Sequence, residues 1–289
     1  PLPSAGGAIV IGTLQALERE DPRAGGYRPE RFLHAMIEVE KRLFARRALL
    51  GDPDQVPGAA AAAAEMASPA FAAALAASIG ERAAAPEEAA PRRESGDTTH
   101  VLVADGAGHA VALTTTVNWL FGSCLVVPGT GILLNDEMDD FDAAPGRPNA
   151  FGLVGTGANA PGPGKAPLSS MAPTLVFDPD GRIWLAIGSS GGSHIPTTVA
   201  QVISHLVDDG MTLERALAAS RIHHQWHPEA VQIEANGLEA LTASALEARG
   251  HRIAWFEGPR SNPQAVWVRP EGWVEAASDP RGAGVPAAP

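Results

Sequence analysis

Thiols, tyrosines and positive charge are what this sequence has least of. One cysteine and one tyrosine occur in 289 residues. The single thiol, Cys124, excludes an internal disulfide and any multi-thiolate zinc or iron–sulfur centre, and it reads as a small buried apolar residue. Lys and Arg number 21 against 33 Asp and Glu, a net charge of −12. That balance leaves no cationic footprint for counterion release from a nucleic-acid backbone, so neither nucleic acid nor an anionic membrane is an expected partner. Long apolar runs are missing too. The stretch 183–207 carries no Asp, Glu, Lys or Arg, but Gly188, Gly191, Gly192, His194 and Pro196 interrupt it. Crossing a bilayer takes about 20 apolar residues in succession, so this stretch reads as buried core and loop, and no membrane span is expected. The opening PLPSAGGAIV has neither the basic start nor the long apolar stretch of a signal peptide. Because the first residue is Pro rather than Met, the numbering is expected to begin inside a longer gene product.

What is present suits a globular chain: 45% hydrophobic and 19% charged residues, enough for one large core or two modest ones. Phe32, Met36, Val39 and Leu43 recur at steps of three and four within 29–50, the pattern of an amphipathic packing helix. From Gly51 onward the turn-forming GDPDQVPG, an Ala-rich stretch and PEEAAPRRESGD predict a turn, short helices and an exposed linker ending near Asp97. The texture then becomes strand-like. Residues 100–104 and 110–117 predict a hairpin around DGAGH, and 174–177 with 183–187 a second around DPDG. Helices are predicted over 195–207, 213–219 and 238–249, and strands over 231–234, 253–255, 265–268 and 274–276. Hairpins mixed with helices point to an α+β layered sandwich rather than a βαβ parallel sheet.

Asp97-Thr98-Thr99-His100 marks the junction of linker and first strand. If the peptide bond before Thr98 is cleaved, its hydroxyl gains a base in its own new α-amine, which titrates near pH ~8. Without cleavage, a Thr-Thr pair is an ordinary strand start. Alternation along the second strand sends Thr114 and Thr116 to one face, with Asn118 on the same face. The acidic cluster from Asn135 to Asp140 offers carboxylates suited to gripping an ammonium group. The calcium-loop pattern D-x-[DN]-x-[DN]-G is absent there, so a metal is not expected. GSSGGS at 188–193 lies between a predicted strand and a predicted helix, where backbone N–H groups can face a pocket; no GK[ST] follows, which excludes a Walker phosphate cradle. GTGANA at 155–160 fits a loose dinucleotide pattern, but Pro161 and Pro163 close it instead of opening a helix. In RIHHQWHPE a helix would put His223 and His227 on one face, as in zinc sites. The Glu of H-E-x-x-H is replaced by His224, and a structural use is expected.

The blocks TTHVLVADGAGHAVALTTTVNWLFGS, TGILLNDEMDDF, PLSSMAPTLVF, GSSGGS, HHQWHPE and SDPR, in this order, resemble the small catalytic subunit of γ-glutamyltranspeptidases. The resemblance runs from Thr98 to about Arg281, and PLPSAGG and LGDPD upstream look like the end of that family's large subunit. It implies an α+β fold of four layers, the αββα sandwich of N-terminal nucleophile hydrolases, and a precursor that cleaves itself between Asp97 and Thr98. Residues 1–97 would then be the C-terminal part of the large subunit and 98–289 the small catalytic subunit.

By the same resemblance Thr98 is the nucleophile, Thr116 hydrogen-bonds its hydroxyl, and Gly191 and Gly192 form the oxyanion hole. Asn118, Glu137 and Asp140 hold the substrate's α-amino end, and Ser169 and Ser170 its α-carboxylate. No metal or organic cofactor is expected. The expected partners are a small-molecule γ-glutamyl donor such as glutathione, an amino acid, dipeptide or water as acceptor, and each cleavage product for the other. Periplasmic or secreted location is implied as well. Two departures stand out. Phe151 occupies the place of a lid Tyr in many members, and most of the large subunit, including an Arg for the substrate carboxylate, is not in this sequence. Two other readings remain: a cephalosporin or glutaryl acylase, for which Glu137 and Asp140 would be idle, and a non-maturing, catalytically incomplete homologue that acts as a binding protein.

Overall fold

A computed structural model describes residues 2–24, 26–84, 98–235, 237–269 and 273–288. The expected linker end and Asp97 fall in 85–97, outside the described residues. In chain order the elements are α1 (Gly6–Leu17), α2 (Glu30–Arg47), α3 (Ala59–Met66), α4 (Pro69–Ala77), β1 (Thr98–Ala104), β2 (Ala110–Thr116), β3 (Thr174–Phe177), β4 (Ile183–Ser190), α5 (Ile195–Val207), α6 (Leu213–Ala218), β5 (Ile222–His223), β6 (Val231–Glu234), α7 (Ala240–Ala248), β7 (Ile253–Phe256), β8 (Asn262–Val268) and β9 (Val274–Ser278). They belong to two compact units that interleave along the sequence.

The first unit comprises Pro1–Arg93, Met138–Ser170 and Ser220–Gly258. Its centre is α2. Phe32, Met36, Val39 and Leu43 are buried as their spacing predicts, and Glu30 at the start and Arg46 and Arg47 at the end complement the helix dipole. The charges between the apolar positions are buried as well: His34, Glu38, Glu40, Lys41 and Arg47 all lie inside. Three of them are paired, Lys41 with Glu229, Glu38 with Arg42, and His34 Nδ1 with His251 Nε2 at 2.7 Å. Helix α1 crosses close to α2 at Gly12, where a Cβ would come within 2.9 Å of a Leu43 methyl. Ser68 caps α4 by accepting from Phe71 N, with Pro69 in its first turn.

A three-stranded sheet, order β5-β6-β7, completes this unit. Here the expectation of hairpins rather than βαβ units needs a local correction, because β6 and β7 run parallel. Parallel neighbours require a crossover of about a dozen or more residues, and α7 supplies it, burying Ala243 and Leu246.

The second unit comprises Glu94–Glu137, Met171–Ala219 and Pro259–Pro289. It holds the antiparallel β1–β2 ribbon and an antiparallel sheet of order β3-β4-β8-β9. Both predicted hairpins use one device: an aspartate accepts two backbone N–H groups across the turn, Asp105 from Ala107 and His109, Asp178 from Asp180 and Arg182. In β4, Leu185, Ala186 and Ile187 are buried, and α5 packs against that strand through a fully buried stripe that includes Val199 and Val202. The strand also runs three residues past its predicted end, to Ser190. That extension carries Gly188 under the β1–β2 ribbon, where a Cβ would lie 2.1 Å from His100 Cε1.

Candidate active site

In the second unit, the β1–β2 register sets Thr98 opposite Thr116 and His100 opposite Thr114. All four point to the inner, less exposed face, while Thr99, Val101, Leu113 and Thr115 are exposed. Thr98 Oγ1 donates to Thr116 Oγ1 at 3.1 Å. Beside this pair, His100 Nδ1 meets Thr114 Oγ1 at 2.8 Å. Burial of the imidazole lowers its pKa to about 4, so His100 is neutral at physiological pH and acts as a packed, polar prop.

Asn118 reaches this area by a route that strand alternation did not foresee. Strand β2 stops at Thr116, and Asn118 adopts a left-handed backbone with φ of 76°. Its amide N donates to Thr116 Oγ1 at 2.8 Å, so that oxygen serves both Thr98 and Asn118. Its buried side chain reaches Asp136 O at 3.4 Å. Asp136 is tied back in turn, accepting from Trp119 N at 3.0 Å. Glu137, half-buried, follows directly, its amide bound to Asn135 Oδ1 at 3.0 Å. Cys124 lies in the intervening loop and is exposed, with φ of 58°, which corrects the expectation of a buried thiol. A loop that projects Leu120, Phe121, Leu125 and Val126 outward gives it no core to enter.

Gly191 and Gly192 follow β4 as expected, with φ of 130° and 55°. A side chain at Gly191 would strike Arg260 O at 2.7 Å. His194 N closes the turn on Gly191 O at 3.0 Å, and α5 begins at once. Two consecutive glycines at a strand-to-helix junction set the local backbone so that its N–H groups can act as anion donors.

The remaining predicted residues belong to the first unit. Asp140 is buried at the end of a short 3₁₀ turn. Its carbonyl accepts from Asn159 Nδ2 at 2.8 Å and Asn149 Nδ2 at 3.2 Å. Asn159 also accepts from Leu168 N at 2.9 Å, so it connects the acidic turn to the serine segment. Ser169 is pinned through its backbone to the N-terminal segment, donating to Pro3 O at 3.1 Å and accepting from Ala5 N at 3.0 Å. Ser170 is buried, and its hydroxyl accepts from Arg47 Nη2 at 3.3 Å. Neighbouring Asp142 has its pKa raised by burial, a push that the positive charge of Arg47 opposes. Gly155 is obligatory beneath it, since any Cβ would overlap the Asp142 carboxylate.

The histidine block is a strand and turn, not a helix, so His223 and His227 do not share a helical face. His223 lies on β5 and meets Gln225 Oε1 at 2.8 Å. His224 N donates to the buried Glu40 carboxyl at 2.9 Å. Gln225 Nε2 reaches Phe151 O at 2.9 Å, and Phe151 N binds Asn149 Oδ1 at 3.0 Å, so the block supports the turn that carries Phe151. Among the described residues no group of three or more His, Cys, Asp or Glu is placed to hold a metal ion. No single helix among them is long and apolar enough to cross a membrane.

Arg47, Asn149 and Asn159 went unnoticed in the sequence. Asn159 lies inside the GTGANA stretch, and no sequence pattern singles out Arg47.

A family description, gamma-glutamyltranspeptidase, matches residues 1–288. Glutathione hydrolase proenzyme of Escherichia coli K12 is 43% identical over 289 residues, covering 97% of this chain and 48% of that protein. The chain thus spans about half the length of the curated relatives it matches. Among solved structures, a gamma-glutamyltranspeptidase chain from Pseudomonas nitroreducens is 45% identical, with a TM-score of 0.62 over 66% of this chain and 98% of its own. A cephalosporin acylase from Bacillus halodurans is 26% identical, with a TM-score of 0.79 over 97% of this chain and 48% of its own. Both likenesses agree with the α+β fold of N-terminal nucleophile hydrolases.

Proposed function

The chain belongs to the γ-glutamyltranspeptidase family, and from that premise we propose that it carries the nucleophile for γ-glutamyl transfer and hydrolysis on glutathione and related compounds. The observation that carries the reading is the Thr98–Thr116 hydroxyl pair at the first residue of β1.

Maturation would break the Asp97–Thr98 peptide bond. Residues 98–289 are 192 of 289, or 66%, equal to the share of this chain covered by the Pseudomonas nitroreducens chain at nearly its full length. That equality supports the division. The freed α-amine of Thr98 takes the proton from its own hydroxyl, and the oxygen attacks the γ-carbonyl carbon of the donor. Gly191 and Gly192 would stabilise the oxyanion with backbone N–H groups, each typically worth about 3 to 4 kcal/mol of barrier. The C–N bond breaks, the leaving amine takes the proton, and a γ-glutamyl ester on Thr98 remains. Water then yields glutamate, while an amino acid or dipeptide yields a new γ-glutamyl amide. Both routes regenerate the hydroxyl and need no cofactor.

Asn118, Glu137 and Asp140 would hold the donor's α-ammonium, and Ser169 and Ser170 its α-carboxylate, giving orientation rather than proton transfer. These groups separate the reading from an acylase, because a glutaryl chain has no amine for the carboxylates to hold. The test replaces Thr98 with Ala. That variant should neither split at Asp97/Thr98 on a denaturing gel nor turn over a chromogenic γ-glutamyl anilide; retained turnover contradicts the assignment. Faster hydrolysis of glutaryl amides than of glutathione by the unaltered protein favours the acylase.

A further inference from the structure

We propose that Arg47 is a positioning residue for donor recognition, turning Ser170 into a hydrogen-bond donor for the substrate α-carboxylate. This inference rests on the proposed γ-glutamyl transfer.

Arg47 ends α2 and is 5% exposed. Its Nη2 donates to Leu168 O at 2.8 Å and to Ser170 Oγ at 3.3 Å. A guanidinium has donors only, so it occupies a lone pair of the Ser170 hydroxyl and leaves the hydroxyl proton to be given elsewhere. An incoming carboxylate needs such a donor. The same cation interacts electrostatically with Asp140 and Asp142, which keeps it charged despite its burial. Stability alone does not account for it. Arg47 Nε is buried and has no hydrogen-bond partner among the described residues, and an incompletely paired buried cation is costly where an aliphatic side chain would serve the core better.

The frame around Arg47 fixes its aim. Ala48 O accepts from both Thr156 N at 3.2 Å and Thr156 Oγ1 at 2.9 Å. Asp52 Oδ2 accepts from Ala166 N at 2.7 Å. The end of α2 is thereby fastened to the loop that joins Asp140 to Ser170.

The experiment compares two anilide donors in the longest natural form of the polypeptide: γ-glutamyl anilide, and the 4-aminobutanoyl anilide that keeps the amine but lacks the α-carboxylate. Arg47→Met and Arg47→Lys should raise KM for the γ-glutamyl donor about 10- to 100-fold and leave KM for the other donor within about threefold, because methionine has no donor and the lysine nitrogen sits one bond nearer the backbone than the Arg47 Nη2 that reaches both Leu168 O and Ser170 Oγ. Added to Ser170→Ala, Arg47→Lys should have no further effect on the ratio between donors. If the Met variant does not fold, the Lys variant and the double variant decide. Equal KM changes on both donors, unchanged discrimination, or additive losses in the double variant overturn the inference alone. Absence of γ-glutamyl turnover in the unaltered protein overturns the proposed function, and the inference falls with it.

Discussion

Thr98 Oγ1 donates to Thr116 Oγ1 at 3.1 Å, and the two residues stand directly opposite each other in the β1–β2 register. The acceptor oxygen also takes the Asn118 amide proton. One hydroxyl therefore ties Thr98, the proposed nucleophile, to the turn that carries Asn118. Thr116→Val keeps the β-branched shape and removes the oxygen. We expect kcat for a γ-glutamyl anilide to fall about 10- to 100-fold, and the stranded Asn118 N–H to cost about 1 to 3 kcal/mol of stability. Steady-state kinetics with thermal unfolding check both; an unchanged kcat contradicts the first.

Gly188 leaves room for His100, whose ring would meet a Cβ at 2.1 Å. Backbone strands on both sides limit relaxation, so Gly188→Ala should destabilise by about 1 to 3 kcal/mol through overpacking. The unfolding midpoint should drop by several degrees, and Gly188→Ala combined with His100→Ala should recover part of the loss. No recovery would show that the two do not share one space.

Two buried groups should impose opposite pH dependences. His251 has its pKa lowered to about 4, by burial first and then by His34, and it also lies near Glu38, Lys41 and His224. Its unfolded value is higher, so its contribution is present above about pH 6.5 and is lost as pH falls toward 4. The stability gap between the unaltered protein and His251→Gln should narrow over that range. Glu40 has its pKa raised well above the ordinary carboxyl value by burial, and its Oε1 has no partner among the described residues. Folding therefore keeps a proton that the unfolded chain releases, and the stability this gives is lost as pH rises. Glu40→Gln should gain stability relative to the unaltered protein as pH increases from about 5 to 8. Denaturant midpoints from about pH 4 to about pH 8 read both signs.

Gly191 combines φ of 130° with a contact of 2.7 Å between any Cβ and Arg260 O. Gly191→Ala should shift the Gly191–Gly192 amides and lower kcat about 100- to 1000-fold, the usual effect of losing an oxyanion donor, with KM changed far less. A loss confined to KM would place these glycines outside the oxyanion site.

Much of this was legible in the sequence because local chemistry decides it. DGAGH and DPDG form the hairpins they spell, and Thr98 and Thr116 meet because hairpin register is fixed by its turn. The end of β2, Cys124 and β5 differ from expectation where the chain leaves regular structure: the left-handed Asn118 breaks the alternation that a strand pattern assumes, though it still meets Thr116. The opening Gly6 and Gly7 concealed α1, which tertiary packing of Ile9, Val10 and Ala16 stabilises without any side-chain cap. Arg47 and Asn159 were invisible because their partners lie about 120 residues away or on backbone carbonyls, and neither leaves a periodic trace.

The central claim is that the Thr98 hydroxyl carries the glutamyl group, activated by its own liberated amine. Rapid acid quenching during turnover of a γ-glutamyl donor, followed by proteolysis and mass spectrometry, tests it most directly. The account predicts a peptide beginning at Thr98 with a free amino terminus and one added glutamyl group as an ester on that residue. A glutamyl group on any other side chain, or turnover by material in which Thr98 is still joined to Asp97, would contradict it.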